Sequence, residues 1–278
     1  MKPTIRTFPD ADQLAHFAAR LFQMRMVGSL TIQVQFTVAL SGGSTLKKMF
    51  EILGNDERLK KQFKIGTWDY VHFFWGDERH APPDHAESNY KLAYDAMLSK
   101  LGIRETNIHR IKGELEDAGE AAHEYEAEIL QGFPISENQI PKFDLIFLGM
   151  GSDGHTASLF PGTKALQEEK RLVVSNWVGK FYTDRITMTA PLLNNAACVV
   201  FMVSGQDKAL PVKAALEGKY EPLQLPAQLI RPKSGKLIWL LDSAAAGLLR
   251  DKSNASVQHK DLQSYMSDPI FDPASGND

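Results

Sequence analysis

The stretch Phe143-Asp144-Leu145-Ile146-Phe147-Leu148-Gly149-Met150-Gly151-Ser152-Asp153-Gly154-His155 changes character at its middle. Its first half is the most apolar run in the chain and reads as a central strand buried on both faces. Its second half is a glycine-rich loop that carries a carboxylate and an imidazole. A strand that is apolar on both sides needs helices on both sides, and the flanking sequence offers them. Residues 11–26 place Leu14, Phe17, Ala18, Leu21 and Phe22 on one helical face, and residues 31–40 then alternate in strand fashion. Helical patterns are expected over 44–54, over 88–101 with Ser88 as N-cap, and over 114–130 with acidic outer faces. Further strands are expected at 69–75, 184–189, 197–204 and 236–241, with helices following the last two at 206–217 and 243–249. Strands alternating with helices predict an α/β fold, a parallel sheet covered on both sides.

Composition narrows the function classes. The chain has 278 residues, a net charge of −3 and one cysteine, Cys198. That balance gives no reason to expect a nucleic acid or an acidic membrane as partner, although a few local donors suffice for one phosphate. A lone cysteine permits no disulfide framework within the chain. No apolar run approaches membrane-spanning length and the N-terminus lacks a signal pattern, so a cytoplasmic location is expected. From residue 250 onward the chain turns polar and Asp/Ser-rich. We expect one domain over 1–249 and a polar tail over 250–278, mobile or docked through Tyr265, Ile270 or Phe271.

In an open α/β sheet, ligands bind where strands end and helices begin. Three loops occupy such places. Ser41-Gly42-Gly43-Ser44-Thr45 follows one strand and precedes a helix. Its glycines would let the backbone approach an anion, and its hydroxyls and the helix N-terminus would add donors. A plain β–α turn with Ser44 as N-cap is the equally open alternative. Gly76-Asp77-Glu78-Arg79-His80-Ala81-Pro82-Pro83 sets three charged residues at a strand's end, against the simpler reading of a solvated turn. The third loop, Gly149 to Gly162, contains a literal G-x-G-x-x-G, but Pro161-Gly162 would stop a phosphate-binding helix and Val174 offers no acidic partner for a ribose. In that loop Asp153 and His155 stand out, because an imidazole can take and give a proton near neutral pH and a carboxylate two residues away can orient it. His72, His80 and His85 lack zinc-site spacing, and no nucleophile elbow or Walker loop occurs, so neither metal nor cofactor is expected.

Taken together, SGGST (41–45), WGDERHAPPDHAESNY (75–90), FDLIFLGMGSDGHTASLFPG (143–162), RITMTAPLLNNA (185–196), GQDKA (205–209) and IRP…KLIWLLD (230–242) resemble the 6-phosphogluconolactonase branch of the family that also holds glucosamine-6-phosphate deaminases. The motifs stand in family order over residues 10 to 249. Deaminases usually carry a tyrosine where this chain has Arg79, and Asn-Glu-Pro where it reads Ser158-Leu159-Phe160-Pro161, so the details favour the lactonase branch. Leu46 departs from a common proline, which would only ease entry into the helix.

The resemblance implies a three-layer αβα, Rossmann-like fold with a mostly parallel sheet, and hydrolysis of a phosphorylated sugar lactone in the oxidative pentose phosphate pathway by a monomer or weak dimer. It implies His155 as general base, with Arg79 placing substrate or stabilising charge and Asp153 or Asp77 orienting His155 or the sugar hydroxyls. It also implies a phosphate cradle of Ser41, Gly42, Gly43, Ser44, Thr45 and Gly151, joined by Arg185 and Lys208. A δ-lactone carbonyl is already activated, so this chemistry needs neither metal nor covalent nucleophile. Two rival functions remain at this stage, an amino-sugar-phosphate isomerase–deaminase and a catalytically silent sugar-phosphate sensor.

Overall fold

A computed structural model describes residues 3–62, 67–136 and 139–250; the expectation of a polar tail falls outside them. The strands are β1 (Thr4–Phe8), β2 (Phe36–Leu40), β3 (Val71–Trp75), β4 (Asp77–Arg79), β5 (Ile108–His109), β6 (Leu145–Leu148), β7 (Val173–Val178), β8 (Thr183–Met188), β9 (Cys198–Val203) and β10 (Lys236–Asp242). Seven of them form one parallel sheet in the order β1-β10-β9-β6-β2-β3-β5. Every residue of β2, β6 and β9 is buried, as strands covered on both faces require. The expected α/β sheet with flanking helices is therefore present.

The helices are α1 (Ala11–Leu30), α2 (Ser44–Asn55), α3 (Glu57–Gln62), α4 (Asn89–Ala93), α5 (Ser99–Leu101), α6 (Ala118–Gln131), α7 (Ala190–Leu193) and α8 (Ala209–Glu217), with a π turn at Tyr94–Leu98 joining α4 to α5. The first starts at an Asp10 carboxylate that accepts from Gln13 N at 2.8 Å. It buries the predicted stripe of Leu14, Phe17, Ala18, Leu21 and Phe22 and packs against α2.

Several expectations are corrected. Strand β2 begins at 36, because residues 31–35 make a turn after α1, which runs to 30. Residues 206–208 form a 3₁₀ turn before α8, and 243–249 form turns rather than a helix. Strands β1, β4, β5 and β7 were not expected, and β8 leaves the main sheet altogether. It pairs antiparallel with β4 and β7 in a second, three-stranded sheet. Period-two patterning shows that a segment is a strand but not which sheet it joins.

Sheet order explains where a ligand can sit. From β2 the chain winds outward to β3 and β5, whereas from β6 it winds the other way, through β9 to β10, on whose outer edge the N-terminal strand β1 pairs. Strands β2 and β6 are neighbours, so the winding reverses between them and the loops after them part to leave a crevice. Ser41 Oγ donates to Phe147 O across that gap at 2.9 Å, and Ser41 is buried.

The end of β3 is fixed from outside the sheet. Strand β5 is only two residues long and pairs with Phe73 and Phe74, which leaves Trp75 without a partner on that edge. The Tyr125 hydroxyl from α6 takes the missing place, accepting from Trp75 N at 2.7 Å and donating to Trp75 O at 2.9 Å. Tyr125→Phe should cost about 1–3 kcal/mol of stability with the fold retained, because two buried backbone groups each lose a hydrogen-bond partner. Urea unfolding followed by circular dichroism measures it.

Candidate active site

A cleft of about 510 Å³ opens at the C-terminal ends of the parallel strands, over the point where the winding reverses. The Ser41–Thr45 turn, Asp77, Arg79, Gly151, His155, Arg185 and Lys208 all line it. The three loops singled out in the sequence thus meet in one place. A larger cavity of about 890 Å³ lies at the opposite edge, beside Phe36, Thr37, Asp144 and Lys236. There Asp144 spends its oxygens on Thr37 N, Thr37 Oγ1 and Gln33 Nε2. Convergent chemistry rather than size selects the first cleft.

Gly43 is the N-cap of α2, at φ 109°, and no side chain caps the helix. Ser44 is the first helical residue, so the alternative with Ser44 as N-cap fails. The first N–H groups of α2 therefore face the cleft without a side-chain acceptor, a favourable place for an anion. Gly42 is required by crowding: a Cβ there would lie 1.8 Å from Asn89 Oδ1 and 3.2 Å from Arg79 Nη1.

The second loop is built around Glu78, which points away from the cleft. Its buried carboxylate accepts from Arg79 N, Asn89 N and Tyr90 N at 2.8 Å each and from Ser88 Oγ at 3.0 Å. Burial pushes its carboxyl above the ordinary range, with those hydrogen bonds pulling it back. Ser88 meanwhile caps α4 through Lys91 N at 3.1 Å, as expected. The result is that α4 delivers Asn89, only 2% exposed, beside the cleft. Its Oδ1 accepts from Arg79 Nη1, and its Nδ2 donates to Asp77 O at 2.9 Å. Asp77 accepts from Ser158 Oγ at 2.7 Å, which ties the second loop to the third.

The small sheet places the charges. Register in the β4–β8 pair sets Arg79 directly opposite Arg185. Two guanidinium groups thus sit on one face as cross-strand neighbours, and neither has an ion-pair partner among the described residues. Arg185 is 7% exposed, and its pKa falls below the ordinary value because of burial first and Arg79 second. Its guanidinium lies 5.3 Å from the Phe181 ring centroid. Lys208 reaches the cleft from the 3₁₀ turn after Gly205, paired with Asp207 at 3.1 Å. Arg79, Arg185 and Lys208 thus converge on the cleft beside the carboxylates of Asp77 and Glu87, and the two arginines keep no ion pair among the described residues, an arrangement suited to an anionic ligand.

The third loop turns back on itself, with Gly151 N donating to His155 O at 2.9 Å. No helix follows Gly154, so the dinucleotide pattern lacks its phosphate-binding element. Gly151 is needed for space, since a Cβ would lie 2.1 Å from the His155 ring. His155 Nδ1 is 2.5 Å from Asp153 Oδ1, and the ring stacks on Phe160 with centroids 4.1 Å apart. Asp153 stands behind the imidazole, outside the cleft lining. Its carboxyl is held well below the usual range by the His155 hydrogen bond first, against the opposing effect of burial. An ionised carboxylate can only accept, so Nδ1 must donate, and in the neutral imidazole the lone pair then lies on Nε2. Among the described residues no cluster of His, Cys, Asp or Glu could hold a metal ion.

Sequence reading named each lining cation but missed Asn89, Glu78 and Ser158, although all three lie within quoted motifs. Their signal was only tertiary: each matters through a partner ten or more residues away.

Fold and cleft together define an α/β protein with a cation-lined crevice and a carboxylate-oriented histidine on its rim. The family described as glucosamine-6-phosphate isomerases/6-phosphogluconolactonase matches residues 9–239. The chain belongs to that family. A protein from Nostoc sp. named 6-phosphogluconolactonase is 37% identical over 250 residues, covering 90% of this chain and 99% of that one. A Homo sapiens protein of the same name is 38% identical over 247 residues, covering 88% and 93%. The structure of 6-phosphogluconolactonase from Trypanosoma cruzi superposes with a TM-score of 0.76 at 29% identity, covering 90% of this chain and 98% of that one. No helix among the described residues is long and apolar enough to cross a membrane.

Asp153 also links site to stability. Its folded pKa lies below the ordinary 3.8, so the ionised carboxylate stabilises the fold above about pH 4, and that contribution is lost as pH falls further. Asp153→Asn should therefore unfold with a flatter dependence on pH between about 5 and 3 than the parent, as read by urea titration at each pH.

Proposed function

We propose that this protein is an enzyme that hydrolyses 6-phospho-D-glucono-1,5-lactone to 6-phospho-D-gluconate, the lactone-opening step of the oxidative pentose phosphate pathway. The observation that carries the reading is the facing arrangement of one oriented base and one anion cradle. His155 presents Nε2 with Asp153 at its back, while the Arg79–Arg185 pair, Lys208 and the uncapped start of α2 line the same cleft. The family membership and the names of the relatives at 37% and 38% identity support it.

The 6-phosphate is anchored by the Gly42–Thr45 backbone and hydroxyls with Arg185 and Lys208, which fixes the ring relative to His155. Water attacks C1 of the lactone while its proton passes to His155 Nε2. The imidazolium that forms is stabilised by Asp153 through Nδ1–H. The carbonyl oxygen gains the negative charge of a tetrahedral intermediate, which Arg79 is placed to balance. Collapse re-forms the carbonyl, breaks C1–O5 and returns the proton from Nε2 to O5. The carboxylic acid so made then ionises, so each turnover releases one proton. Asp77, tied to Ser158, holds the second and third loops together rather than orienting His155.

Acceleration of freshly generated 6-phosphogluconolactone decay, followed by proton release, tests the reaction. Ammonia release from glucosamine 6-phosphate, or sugar-phosphate binding without turnover, would move the assignment to a deaminase or a sensor. His155→Ala should lower kcat by about 10²–10⁴-fold while phosphogluconate still binds, the range general acid–base help contributes. Arg185→Met should raise KM for the phosphorylated lactone by roughly 10- to 100-fold, the loss of charge-assisted hydrogen bonds to one anion. Its activity toward unphosphorylated gluconolactone should change far less.

A further inference from the structure

We infer that Lys180, at the tip of the β7–β8 hairpin, is a positioning residue for the His155–Asp153 pair and sets the pH range over which that pair works. The inference rests on His155 acting as the base. Lys180 lies in none of the family-like motifs, and its relation to the histidine exists only through the fold.

The hairpin is tightly closed. Trp177 pairs with Asp184 and Val178 with Thr183, while Phe181 N donates to Val178 O at 3.0 Å. Its tip leans over the site through a chain of rings. Phe181 meets Phe160 edge-on, centroids 5.8 Å apart at 78°, and Phe160 lies on the His155 ring. This places Lys180 Nζ 3.4 Å from Asp153 Oδ2, the oxygen that His155 does not use. One carboxylate is thus shared between imidazole and ammonium, Oδ1 to the first and Oδ2 to the second.

A carboxylate with a cation at its second oxygen attracts the imidazole proton less strongly. With Lys180 in place, the pair releases that proton at lower pH and the base is available over a wider range. Other charges around His155 are Asp77, Arg79, Glu87, Arg185 and Lys208, which line the cleft, and Asp184 in the hairpin. None of them forms a hydrogen bond or ion pair with Asp153, so a Lys180 substitution leaves them in place. Leu223–Ala227, which covers Gly154, brings no charged side chain. The lysine side chain is 60% exposed, so solvent screens its effect and salt weakens it further.

The test is the pH dependence of kcat/KM for the phosphorylated lactone in the parent, Lys180→Met and Lys180→Arg. Lys180→Met should move the acidic limb upward by roughly 0.2–0.7 pH unit, the effect of one screened surface charge. Lys180→Arg should restore the parental limb, and added salt should shrink the gap between the two. In an Asp153→Asn background, Lys180→Met should produce no such shift. A parental acidic limb that Lys180→Met leaves unmoved would overturn the inference while the His155 reading stands. An equal shift in Lys180→Arg would overturn it too, since packing rather than charge would be the cause. If the parent has no acidic limb, or His155→Ala keeps full activity, the His155 reading fails and the inference falls with it.

Discussion

An all-parallel sheet sends every strand's C-terminal end to the same edge, and the rest of this molecule follows from that constraint. Backbone groups along β2, β6 and β9 are paired within the sheet and their side chains are wholly buried, so no chemistry can be placed along the strands themselves. Chemistry is left to the segments that leave the edge, the loops and the small second sheet. Because winding reverses between β2 and β6, the loops after those two strands diverge instead of packing over each other. The glycine turn at 42–43 and the loop at 149–155 therefore face one another across an open crevice.

The second sheet is what turns a crevice into a charged site. Three short antiparallel strands fold over the edge, and their register brings Arg79 and Arg185 together. Two adjacent guanidinium groups repel, and a fold bears that cost where a ligand's charge relieves it. Glu78 does the opposite work a residue earlier. It is turned inward and accepts four hydrogen bonds, so that its charge organises the start of α4 rather than cancelling the arginines. Asp77, Glu78 and Arg79 are consecutive in the chain, yet alternation along β4 divides them between opposite faces and unrelated partners.

Asp153 and His155 illustrate the same division of labour at shorter range. Gly151 has no side chain because the His155 ring occupies that space, and Asp153 approaches from behind. The pair is assembled within one loop, and the hairpin at 178–183 then reaches it from the second sheet through Lys180 and Phe181.

Much of this was readable in the chain. The apolar run 143–149, the two-glycine turn at 42–43 and the Asp153–His155 pair are local signals: a buried strand, a backbone needing positive φ, and two groups close enough in sequence to meet. Local physics determines them, so the parallel α/β fold and the loops that could carry chemistry follow from residue types and spacing, whereas Arg185 and Lys208 were singled out only by the family resemblance. What only the tertiary structure decided is pairing between distant segments. That β8 joins β4 rather than the main sheet, that Asn89 braces Arg79, that Tyr125 completes the edge of β3 and that Lys180 reaches Asp153 are contacts between residues ten to fifty positions apart or more. Period and propensity are properties of a segment and carry no record of its partner. The partner is chosen when the whole chain buries its apolar faces at once.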